Sequence, residues 1–101
     1  MKVLITARKF KAHSTLKDFI NNEVESLSKF NDEILSIEVI LSFQNSSNSL
    51  KTAELIVKIP GQILTAAEST DDFPKSVGAA TQKLIRQLEK IKTKKAARIK
   101  S

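Results

Sequence analysis

The chain has no cysteine, tryptophan or tyrosine, a single histidine, and only two glycines and two prolines in 101 residues. Without cysteine there is no disulfide, no thiolate metal site and no cysteine nucleophile. Without Trp or Tyr, and with the five phenylalanines mostly at core phase, there is no aromatic platform on which single-stranded bases stack. Gly61 and Gly78 are too few and too far apart for a phosphate-cradling loop. No apolar run is long enough to cross a membrane. The opening MKVLITARKF alternates like a strand and lacks a signal-peptide core, so a cytoplasmic location is expected.

What is present is charge of one sign in one place. The formal net charge is +6, and residues 74–101 carry nine Lys/Arg against Glu89 alone, a net of +8. Residues 1–73 carry a net of −2. Such asymmetry points to an anionic partner, nucleic acid foremost. At about 100° per residue, Lys83, Arg86, Lys90, Lys94 and Arg98 share one helical stripe. Phe73, Val77, Ala80, Leu84, Leu88 and Ile91 share another, turned roughly 100° away. One helix can therefore dock on a core and still present a row of cations.

The pattern along the chain gives the order β-α-β-β-β-α. Residues 2–8 alternate, with Val3, Ile5 and Ala7 on one face. Residues 15–30 have helical spacing, with Ser14 or Thr15 as N-cap, Asp18 as capping-box partner and Asn31-Asp32 as the stop. Strands follow over 34–44, 50–59 and, shorter, 62–68, joined by a polar tip at 45–49 and a Pro60-Gly61 turn. Thr70, Asp71 and Asp72 open the last helix, with Pro74 in its first turn. This is an α+β fold, a two-layer sandwich in which two helices cover one face of a four-stranded mixed sheet. A length of 101 residues suits one domain, 1–101, with fraying expected from about Lys95.

No constellation for catalysis emerges. His13 stands alone at a strand–helix junction, where a surface role or a phosphate contact beside Arg8, Lys9 and Lys11 is the natural reading. Asp71-Asp72 suits the positive end of a helix better than a metal. No metal, cofactor or small-molecule substrate is expected. A charge run alone is as often a wet surface as an interface. Here the single sign, the stripe and the second cluster at Arg8, Lys9 and Lys11, with Lys29 at the end of the first helix, favour backbone recognition of structured RNA. In a fold of this order these groups would join the helix stripe in one continuous patch.

Residues 83–94 read K-L-x-R-Q-L-x-K-x-K-x-K, and residues 27–30 read Leu-Ser-Lys-Phe. In these motifs the chain resembles the bacterial ribosome hibernation promoting factors, also called ribosome-associated inhibitor A or protein Y and formerly sigma-54 modulation proteins. The resemblance covers nearly the whole chain. It implies a ribosome-binding domain that silences translation by occlusion in stationary phase or stress. Such a domain binds the small subunit between head and body, over the A and P sites, and excludes tRNA and mRNA. By position, Lys83, Arg86, Lys90, Lys92 and Lys94 would contact 16S rRNA phosphates, with Lys29 contributing from the first helix. Arg8, Lys9, Lys11, Lys95 and Arg98 are added on charge and predicted position. Ser26 stands where relatives often carry a basic residue, and Pro74 and Gly78 are less typical of the last helix. The chain resembles the short form of the family, for which a separate ribosome modulation factor is a further partner. A generic structured-RNA-binding module and a regulatory protein–protein module stay open beside this reading.

Overall fold

The computed structural model describes residues 1–43 and 50–100, and the side chains of residues 1–43 and 50–91. The expected loop at 45–49 lies outside the described residues. β1 (Lys2–Ala7), α1 (Ser14–Glu25) and a 3-10 turn (Ser26–Lys29) precede β2 (Ser36–Phe43), β3 (Lys51–Ile59), β4 (Gln62–Thr70) and α2 (Phe73–Lys100). The strands lie in the order β1-β2-β3-β4, the first pair parallel and the others antiparallel. This is the expected two-layer α+β arrangement.

Alternation along each strand sorts the side chains between the faces. Ile37, Val39 and Leu41 of β2, Ala53, Leu55, Val57 and Ile59 of β3, and Leu64 and Ala66 of β4 are buried beneath the helices. Ile20 and Val24 of α1 enter the same core, as do Val77, Ala80, Leu84 and Leu88 of α2. Each fully buried Val, Leu or Ile among these contributes about 1.5–3 kcal/mol. The other face of the sheet is uncovered, with Leu4 and Ile63 exposed and Glu38, Ile40, Glu54 and Ile56 half-buried.

Several element ends differ from the expectation. α1 stops at Glu25 because Ser26 and Ser28 turn their hydroxyls back onto the carbonyls of Glu23 and Glu25, at 2.6 and 2.7 Å. Such back-bonding competes with the helical ladder, and the chain tightens into the 3-10 turn. The expected Thr15–Asp18 capping box does not form: the N-cap is His13, without a side-chain cap bond, and its carbonyl accepts from Lys17 N at 3.0 Å. β4 is as long as β3, nine residues, because pairing runs from Ile59–Gln62 to Lys51–Thr70. At the turn between them, Pro60 precedes Gly61 at φ 77, the order that a type II turn asks for. Phe19, read as part of the helical core face, is 37% exposed.

Candidate nucleic-acid interface

The seam of α2 is seated as its spacing predicts: Phe73, Val77, Ala80, Leu84 and Leu88 are buried and Ile91 is half-buried against the core. Its first turn is fastened by Ser76, a buried serine. The Ser76 hydroxyl donates to Lys51 O at 2.6 Å, and its oxygen lies 2.7 Å from Thr70 Oγ1. Buried Thr81 donates to Val77 O at 2.8 Å, which satisfies its hydroxyl within the helix.

With the seam down, Lys83, Arg86 and Lys90 are exposed. Two contacts fix which way they look. Lys83 Nζ meets Glu68 Oε1 of β4 at 2.6 Å, and Gln87 Nε2 donates to Thr65 O of β4 at 2.9 Å. Gly78, by contrast, turns toward α1, where a Cβ would stand 3.9 Å from Glu23 Oε1. The cationic flank of α2 therefore faces away from α1, above the outer edge of β4. The backbone of α2 continues to Lys100, but the side chains of Lys92, Lys94, Lys95 and Arg98 lie outside the described residues.

The remaining expected contacts fall at two opposite ends of the sheet. Lys29, exposed at the end of the 3-10 turn, shares with Phe30, Asn31 and Ile91 a hollow of about 370 Å³. It therefore lies beside the later part of α2, at Ile91. Arg8, Lys9 and Lys11, all exposed, follow β1 at the other end, where Phe10 stacks on Phe73 at the start of α2. Ten residues, or about 15 Å of helix, separate Phe73 from Lys83. β1 is also the sheet edge opposite β4, three strand spacings or about 14 Å away. The single continuous patch expected from the sequence is thus two separate basic areas. His13 is exposed and lines a different, shallow hollow with Leu16, Phe19, Lys51 and Pro74.

The uncovered sheet face completes the charge map. Its centre pairs Glu38 with Ile56 and Ile40 with Glu54 across β2 and β3, so the two carboxylates are diagonal to each other, with Lys2 and Lys58 at one end. It presents no aromatic ring for a base and has carboxylates where phosphates would approach. The basic areas lie instead on the flank of α2 and on the chain segments at the two ends of the sheet.

Three residues important to this arrangement were not identified from sequence. Phe10 stands between Lys9 and Lys11 in sequence, and its aromatic partners are 33 and 63 residues away. Ser76 bonds Lys51 O, 25 residues away, which no local pattern signals. Gln87 stood in the motif without a role; its amide ties α2 to the sheet edge.

Solved structures share this arrangement. A ribosomal subunit interface protein from Coxiella burnetii superimposes with a TM-score of 0.83 at 26% identity, over 92% of this chain and 99% of that one. The N-terminal domain of Thermus thermophilus protein Y has the same fold, with a TM-score of 0.80 at 21% identity, over 90% of this chain and 99% of that one. Among curated proteins, a ribosome hibernation promotion factor from Deinococcus radiodurans is 24% identical over 92 residues, 89% of this chain. The chain spans about half of that relative's length, 48%. The family model described as sigma 54 modulation protein / S30EA ribosomal protein matches residues 3–96, both basic areas included, and the chain belongs to that family.

Proposed function

We propose that this protein is a ribosome-associated hibernation factor that acts by occupying the small subunit. The observation that carries this reading is the flank of α2: Lys83, Arg86 and Lys90 are exposed on a helix whose opposite side is locked into the core. That helix lies within the segment matched by the family. Cations on a rigid rod suit the phosphate backbone of structured RNA, where affinity comes from charge and shape and not from base reading. The contacts are 16S rRNA phosphates over the A and P sites. A domain seated there excludes tRNA and mRNA when translation is idle, in stationary phase or stress. Lys92, Lys94, Lys95 and Arg98 extend the same helix, and Lys29 joins it from the 3-10 turn. The mechanism needs no bond to be made or broken.

Sedimentation with purified ribosomal subunits tests this directly. The protein should travel with the small subunit at low salt and inhibit cell-free translation. If about five or six phosphates are engaged, log affinity should fall against log salt with a slope of about −4 to −5. The double substitution R86E/K90E should weaken binding while the domain stays folded. Protein that remains at the top of the gradient at low salt would refute the reading. Protection of A- and P-site nucleotides from chemical probes, lost on adding saturating tRNA, would locate the contact.

A further inference from the structure

The segment that follows β1 is built with more constraint than a connecting loop needs. Lys9 has φ 65, the one non-glycine residue with positive φ among the described residues. L side chains rarely adopt this left-handed conformation, and when they do it is held by the surroundings and often serves a site. The surroundings here are explicit. Arg8 N donates to Leu41 O at 2.9 Å, carrying the sheet ladder one residue past β1. The Phe10 ring stacks on Phe73 with centroids 5.1 Å apart and meets Phe43 edge-on at 5.5 Å. Ala12 is buried. The left-handed step at Lys9 turns Phe10 inward and leaves Arg8, Lys9 and Lys11 outside. Among the described residues, none of these three cations has an ion-pair partner, whereas Lys75 and Lys83 do.

Three unpaired cations on a backbone pinned at Arg8, Phe10 and Ala12 form a preorganised anion-binding surface, because little ordering remains to be done on binding. We infer that the Arg8–Lys11 segment is a second phosphate-contact site, separate from the flank of α2, and that Phe10 is the positioning residue that sets it. This rests on the RNA-binding reading above and deepens it. The domain holds one stretch of phosphates along α2 and another at the end of the sheet where α2 begins.

The test is a salt series of binding to purified small subunits with the full chain. The exposed triple substitution R8Q/K9Q/K11Q should reduce the steepness of the log–log slope by about 2 to 3. Phe10→Ala, which retains every charge, should reduce it by about 1 or more, and Phe10→Leu should restore most of the loss. Lys9→Gly should bind more weakly yet melt at or above the parent's temperature, since it loses a cation and relaxes the backbone. A residue with a purely structural role would move binding and melting in the same direction. A triple variant with the parental slope overturns the inference. If that occurs while R86E/K90E still weakens binding, the RNA reading stands and only the second site falls. A parent chain that shows no salt-dependent binding overturns both. Should Phe10→Ala fail to fold, the triple variant decides alone, because its three positions are exposed.

Discussion

α1 and α2 perform the same packing task and differ in almost everything else. Each buries an apolar stripe in a common core, Ile20 and Val24 from one, Val77, Ala80, Leu84 and Leu88 from the other. The exposed side of α1 mixes Lys17 with Asp18 and Glu25 over 12 residues. α2 carries nine cations and one carboxylate over 28 residues. The stripe that folds a helix and the charge on its outer side are therefore set independently. In this protein only α2 combines an apolar stripe with a row of cations.

Four measurements would break or sharpen that contrast. The largest effect belongs to what the helices share: Leu84→Ala and Ile20→Ala should each lower unfolding free energy by about 2–5 kcal/mol in denaturant titrations. A much smaller loss at either site would mean that the two helices are not equal partners in the core. Next comes what they do not share. Lys17→Glu on α1 should leave the salt slope of ribosome binding unchanged, while Arg86→Glu on α2 should reduce its steepness by about 0.7–0.9. Both variants should keep stability within about 0.5 kcal/mol of the parent. Third, Ser76→Ala leaves Lys51 O without its donor and should cost about 1–3 kcal/mol at the start of α2, measured by the same titration. Smallest is Glu68→Gln. The pair it breaks is half exposed, with side-chain exposures of 50% for Lys83 and 29% for Glu68, so stability should change by less than about 1 kcal/mol. Binding should tighten modestly, since a carboxylate that competes for Lys83 is gone.

The parts of this structure legible in the sequence are those governed by period. Val3, Ile5 and Ala7, the odd positions of β2 and β3, and the seam of α2 all lie on the faces that alternation or 3.6-residue spacing assigns them. Element ends were less legible because they depend on single hydrogen bonds. Ser26 and Ser28 shorten α1, and the pairing of Thr70 with Lys51 lengthens β4. In the candidate site, exposure of Lys83, Arg86 and Lys90 followed from their phase. Their surroundings did not, because Glu68 reaches Lys83 across 15 residues of chain and Gln87 reaches Thr65 across 22. The separation of Arg8, Lys9 and Lys11 from the helix stripe depends on strand order, which puts β1 and β4 at opposite edges. Composition carries no record of that order.

The bond from Gln87 to Thr65 has a consequence beyond anchoring α2. An outermost strand offers a row of free amides and carbonyls on which another polypeptide can add, the first step toward chain-to-chain polymerisation. Gln87 occupies one backbone acceptor of β4, Thr65 O. A border blunted in this way is a poorer template for a neighbouring chain. The same glutamine that ties α2 to the sheet thereby helps keep the molecules apart from one another.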